Sequence, residues 1–158
     1  MEILGDFQTT VKKALSEIDE NYMDYEGLVI CGTHSPNKEE AEKMIDKIRK
    51  AHLSGTPFLG ICFGHQLAAI EHARTICNIP DATSEEWGEG TFVVVKRKEG
   101  LKVGLHEGET YWNNYEVIWK DWSKPYNFIT SQFHPEYQSS KKNPHFLLVK
   151  FLNLCRGK

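Results

Sequence analysis

Apolar positions along the chain recur in two periods. Val11, Ala14, Leu15 and Ile18 fall on one side of a helical repeat, with Lys12, Lys13, Glu17 and Asp19 on the other, which predicts an amphipathic helix. Ahead of it only residues 1–7 can supply a first strand. Gly27-Leu28-Val29-Ile30-Cys31-Gly32 and Phe58-Leu59-Gly60-Ile61 are unbroken apolar runs closed by turn residues or polar sequence. Such runs suit strands buried on both faces of a parallel sheet. Between them Ala41, Met44, Ile45, Ile48 and Ala51 mark a second helix, with Ser35 as the expected N-cap and Pro36 in its first turn. A third helix is expected over 66–74, ending before Pro80. From residue 91 the pattern changes to β-branched and aromatic residues, predicting strands over 91–97, 101–106, 111–119 and 126–133. Phe146, Leu147, Val149, Phe151 and Leu152 predict a last helix over 144–155, packed on the sheet.

Strands alternating with helices and then a run of strands give an α/β expectation: a mainly parallel central sheet flanked by helices, with an antiparallel strand segment from the third quarter of the chain. At 158 residues the chain is expected to form one domain over 1–158. A site on such a sheet belongs at the carboxyl ends of the parallel strands.

Composition narrows the function classes. A net charge of -3 gives no electrostatic reason to expect nucleic acid or an anionic membrane. No apolar run reaches spanning length and no signal-peptide pattern opens the chain, so a cytoplasmic protein is expected. Cys31, Cys62, Cys77 and Cys155 show neither a CxxC pair nor metal-ligand spacing. Glu71, His72 and His65 lack a second carboxylate at ligand spacing, so neither metal nor cofactor is expected.

The chemistry centres on Gly60-Ile61-Cys62-Phe63-Gly64. Glycine two residues before and after a cysteine, between a strand and a helix, has the form of a nucleophile elbow. That turn sets the sulfur near a helix N-terminus, which predicts a lowered thiol pKa. A free cysteine is more often a small buried hydrophobe, so the spacing alone leaves two readings open. Gln132-Phe133-His134-Pro135-Glu136 weighs against the plainer one. With Cys62, His134 and Glu136 could supply a nucleophile, a base and a carboxylate to orient the base.

Together the two motifs resemble the class I glutamine amidotransferase family, and within it the glutaminase domain of cytidine triphosphate synthase. The resemblance implies a Cys62-His134-Glu136 triad and an oxyanion hole from the backbone N–H groups of Gly32 and Phe63. It implies substrate contacts from Gln66 and Glu86. Glu86 comes from Asp81-Ala82-Thr83-Ser84-Glu85-Glu86, which is similar to the family's Asp-Ala-x-Ser-x-Glu. Two departures bear on the substrate. Asn114 stands where the family's Arg-Tyr-Glu-Val has the arginine that clamps the substrate α-carboxylate, and Thr33-His34 replaces the Phe-Gly of the oxyanion loop. A neutral amide cannot form the bidentate charged clamp.

The expected function is hydrolysis of a small γ-carboxamide, glutamine or a relative, with release of ammonia. The protein would act either alone or as a subunit delivering ammonia to a synthetase partner. Two alternatives remain: a cysteine hydrolase of the same fold whose substrate is not glutamine, and a catalytically silent binding or regulatory subunit.

Overall fold

The computed structural model describes residues 1–34, 37–87, 90–99, 104–111, 115–120 and 122–157. Strand β1 (Glu2–Leu4) leads into helix α1 (Gln8–Ile18), and β2 (Leu28–Ile30) into α2 (Lys38–Ser54). Strand β3 (Phe58–Ile61) is followed directly by α3 (Phe63–Thr75). Five shorter strands come next: β4 (Ala82–Ser84), β5 (Phe92–Arg97), β6 (Gly104–His106), β7 (Glu109–Tyr111) and β8 (Tyr115–Val117). Strand β9 (Phe128–Ser131) and helix α4 (Phe146–Arg156) complete the order.

The central sheet is β1-β2-β3-β9, parallel throughout. Its side chains alternate between two cores, as the pleat requires. Leu28, Ile30, Phe58 and Phe128 face α2 and α3, whereas Val29, Leu59, Ile61 and Ile129 face α1 and α4. A second sheet, β4-β5-β8, pairs β4 with β5 in parallel and β5 with β8 antiparallel. Strands β6 and β7 form an antiparallel hairpin.

The expected α/β architecture holds, and the differences are local. Helix α2 is capped by Asn37, whose side chain accepts from the Glu40 N–H at 2.8 Å. Ser35 and Pro36, the expected cap and first-turn residue, lie outside the described residues. Strand β4 falls in a stretch that reads as a polar loop, because Thr83 and Ser84 carry no apolar pattern. Helix α4 starts at Phe146, not in the first turn set by Pro144. His145 is its N-cap and accepts from the Leu147 N–H. Leu148, Phe151, Leu152 and Cys155 are buried, while Phe146 remains 66% exposed. Among the described residues no helix is long and apolar enough to cross a membrane.

Candidate active site

The carboxyl ends of β2, β3 and β9 converge on one place, and each delivers a residue that the sequence singles out. After β3 the chain turns through Cys62, which sits at φ 53°, ψ -99° and caps α3. A non-glycine residue in that region costs on the order of 1–3 kcal/mol. Its neighbours explain how the turn can be so tight. A Cβ on Gly64 would stand 2.0 Å from the Ile30 carbonyl oxygen, and one on Gly60 2.9 Å from that of Gly64. The start of α3 therefore rests directly on β2 and β3 backbone, an approach open only to hydrogen. The Cys62 N–H continues the sheet by donating to Ser131 O at 2.7 Å.

Three residues past β9, His134 is fully buried and donates its backbone N–H to Thr110 O of β7 at 2.7 Å. Its Nδ1 lies 2.7 Å from Oε1 of Glu136, itself buried. The carboxylate can only accept, so Nδ1 is the donor in this bond, and in the neutral imidazole Nε2 then carries the lone pair. No group among the described residues bonds Nε2 or Oε2 of Glu136. After β2, Gly32 approaches the same imidazole, and a Cβ there would meet His134 Cε1 at 2.6 Å. The Gly32 N–H makes no hydrogen bond among the described residues.

Electrostatics at the sulfur differ from the sequence expectation. Burial pushes the Cys62 thiol up to about 12, and Glu136 and Glu86 add to the rise. The Phe63 N–H at the helix start lowers it, but too little to compensate. Cys62 is 3% exposed and the nearby charges acting on it are anionic, so the neutral thiol is the favoured form. The expected depression therefore fails: desolvation outweighs the helix terminus.

The residues expected to bind substrate divide into three cases. Gln66 is buried, and its Nε2 donates to Gln132 Oε1 at 3.3 Å and to Tyr115 O at 3.5 Å. Its Oε1 makes no hydrogen bond among the described residues and is not sealed from solvent. Glu86 follows β4 in a single 3₁₀ turn, close enough to act on Cys62, and its carboxylate makes no bond among the described residues. Burial raises its pKa. Asn114 lies outside the described residues. Two acceptors, Gln66 Oε1 and the Glu86 carboxylate, suit an ammonium group. His34 is exposed and packed on Phe7, with ring centroids 4.8 Å apart.

Two contributors were given no role by the sequence reading. Phe7, from the turn before α1, packs edge-on against His134 at 5.1 Å and touches the Gly32 position. Gln132 donates its Nε2 to the Cys62 sulfur at 3.7 Å. It adjoins the His134 motif, which was the one cue to it. No group of three or more His, Cys, Asp or Glu among the described residues could hold a metal. Glu71 instead lies 3.4 Å from His52 on α2.

A cysteine on a strained elbow, a buried histidine-carboxylate pair and the unbonded Gly32 N–H are the kinds of group that acyl-transfer chemistry calls on. The family described as glutamine amidotransferase class-I matches residues 4–124, a span that ends before His134. A CTP synthase of Methanoculleus marisnigri is 39% identical over 184 positions, covering 84% of this chain and 34% of its own length. The aligned span exceeds this chain's 158 residues, so that relative carries internal segments absent here. A CTP synthase of Methanoregula boonei is 51% identical over 71 residues, or 45% of this chain and 13% of its own. The chain thus spans about a third or less of these relatives. Among solved structures, the Trypanosoma brucei CTPS glutaminase domain with bound acivicin matches with a TM-score of 0.77 at 16% identity, over 99% of this chain and 93% of that one. That likeness is one of fold.

Proposed function

Because this chain belongs to the class I glutamine amidotransferase family, we propose that it is a cysteine-dependent amidohydrolase. It cleaves a small γ-carboxamide, glutamine or a close relative, through a thioester and releases ammonia. The observation that supports this reading is that Cys62, the His134-Glu136 pair and Gly32 follow the carboxyl ends of three adjacent parallel strands, with Glu136 close enough to act on the Cys62 sulfur.

With Nδ1–H bound to Glu136, His134 offers Nε2 as the base. Since burial keeps the Cys62 thiol protonated, the proton passes to Nε2 as sulfur attacks the amide carbon, and Glu136 stabilises the imidazolium formed. The carbonyl oxygen takes the negative charge and is held by the N–H groups of Phe63 and Gly32. Collapse breaks the C–N bond while His134 returns its proton to nitrogen, and ammonia leaves. Water then attacks the thioester, giving one proton to His134, which passes it to the departing sulfur. The thiol is restored, and the acid formed loses its remaining proton to solvent and leaves as a carboxylate.

Gln66 Oε1 and the Glu86 carboxylate receive the substrate's α-ammonium group. Asn114 gives the α-carboxylate a neutral contact in place of a charged one. Such a loss weakens binding by about 1–3 kcal/mol, so free glutamine binds weakly unless a partner supplies the missing contact. The relatives are named CTP synthases, which suggests that the ammonia is delivered to a synthetase, attached or docked.

Ammonia release from a panel of γ-amides tests the reading. The panel holds glutamine, its α-esters and α-amides, and N-substituted γ-amides, each run with wild type and Cys62→Ala. Turnover by wild type at least 10³-fold above the variant on one or more members is expected. Equal background release from both proteins on every member would contradict it. Free glutamine hydrolysed far better than every analogue would refute the weakened carboxylate clamp alone.

A further inference from the structure

Gln132 belongs to neither the triad nor the expected substrate contacts, yet it joins them. Its Nε2 donates to the Cys62 sulfur at 3.7 Å, and its Oε1 accepts from Gln66 Nε2 at 3.3 Å. Gln66 Nε2 also reaches the Tyr115 carbonyl at 3.5 Å, at the start of β8. A continuous chain of hydrogen bonds therefore runs from β8 through Gln66 and Gln132 to the nucleophile. Its direction is fixed by its ends. Tyr115 O can only accept, so Gln66 must present its amide nitrogen there, and its one carbonyl is left facing the open side. Gln132 then offers its carbonyl to Gln66 and its amide N–H to sulfur.

We propose that Gln132 is a positioning residue: its carboxamide holds the Cys62 sulfur in place and couples it to Gln66, the side chain that meets the substrate's amino-acid end. The proposal rests on the amidohydrolase reading for the identity of the substrate, but not for the hydrogen bonds. Two consequences follow from ordinary hydrogen-bond physics. An N–H donor favours the thiolate over the thiol, because the anion is the better acceptor. At Cys62 that donor works against three groups among the described residues: Glu136 after β9, Glu86 after β4 and Cys31 after β2 all disfavour the anion. His134 becomes a counter-charge only after it takes the proton. Second, a substrate that draws on Gln66 also shifts the acceptor of Gln132, so binding at the amine end is felt at the sulfur. Gln132 is itself a carboxamide lying beside the nucleophile, with its nitrogen toward sulfur. That orientation keeps its own carbonyl carbon from attack.

Two substitutions separate hydrogen bonding from packing. Gln132→Met keeps the length and volume and removes donor and acceptor. Gln132→Glu keeps an acceptor for Gln66, removes the donor and sets another anion beside the thiol. The readout is the rate of iodoacetamide alkylation at Cys62, located by peptide mass spectrometry across pH 6 to 10, which needs no substrate. Relative to wild type, alkylation at pH 8 should slow about fivefold in Gln132→Met and at least 20-fold in Gln132→Glu, with the rate profile displaced to higher pH in that order. A role in folding alone would lower the melting temperature and leave the profile in place. Where wild type hydrolyses a γ-amide, Gln132→Met should lower kcat, Gln66→Met should raise KM, and the double variant should fall short of the product of the two effects. Wild-type alkylation rates and profiles in both Gln132 variants would overturn the proposal. If Gln132→Glu does not fold, Gln132→Met decides alone. A wild type that turns over no amide would overturn the amidohydrolase reading instead, and the alkylation series would still judge Gln132.

Discussion

At the scale of single residues, the site is organised by what surrounds the sulfur more than by the sulfur itself. Burial and two carboxylates hold Cys62 as a thiol near 12, so the proposed mechanism assigns activation to His134, whose Nδ1 is bonded to Glu136. That division of labour predicts unequal losses. His134→Ala removes the base and should lower kcat by at least 10³-fold, whereas Glu136→Gln keeps a hydrogen-bonding partner for the imidazole and should lose about 10–100-fold. Steady-state ammonia release checks both, with a thermal melt of each variant to separate folding from chemistry. Equal losses would show that Glu136 does more than orient. The geometry was largely legible in the chain: Gly60, Cys62 and Gly64 announce the elbow, and His134-Pro135-Glu136 the histidine-carboxylate pair. The thiol's state was not. A helix N-terminus is visible in sequence, but the burial that outweighs it depends on the whole fold. Gln132 and Phe7 escaped notice for the same reason, since only folding brings residue 7 within 5.1 Å of residue 134.

At the scale of elements, period and flanking residues located the main helices and the core strands, and they failed where several registers were equally apolar. Helix α4 shows why. Residues 146–149 are Phe-Leu-Leu-Val, so either of two faces could be taken for the buried one. Capping by His145, whose Nε2 also lies 2.9 Å from Glu109 of β7, fixes the rotation that buries Leu148 and exposes Phe146. Leu148→Ala should therefore cost about 3 kcal/mol of unfolding free energy, and Phe146→Ala under about 1, as read from urea denaturation. The opposite ranking would restore the register read from the sequence. Strand β4 was hidden because it is short and polar. It is held by pairing with β5 rather than by an apolar pattern, and it is the element that presents Glu86 to the site.

At the scale of the whole molecule, acid should act through groups far apart in sequence. His65, on the first turn of α3, lies 3.1 Å from Thr130 Oγ1 of β9 and beside the Trp122 ring. Burial, helped by Lys124, lowers its pKa to about 3. The folded chain therefore refuses a proton that the unfolded chain accepts below about 6.5, so stability is full above 6.5 and falls as pH drops toward 3. Asp19 adds a loss in the same direction at lower pH. Its carboxyl is held down at about 2 by Tyr25, the Asn21 N–H and Arg156, the last of which links the end of α1 to α4, and that contribution is present above 3.8 and lost as pH falls through 2. Between pH 7 and 4.5, His65→Asn should remove about 2 kcal/mol of the wild-type loss, measured by urea titration at both values. An unchanged loss would place the sensitivity elsewhere. The same fold that shields His65 buries Cys62 and leaves Cys77 exposed, and this contrast offers the most direct test of the nucleophile. A glutamine-shaped chloroketone, applied at neutral pH and located by peptide mass spectrometry, should form its adduct on Cys62, be slowed by a competing γ-amide, and leave His134→Ala labelled far more slowly. A reagent governed by accessibility alone would take Cys77 first, and preferential labelling there, with Cys62 untouched, would contradict the account.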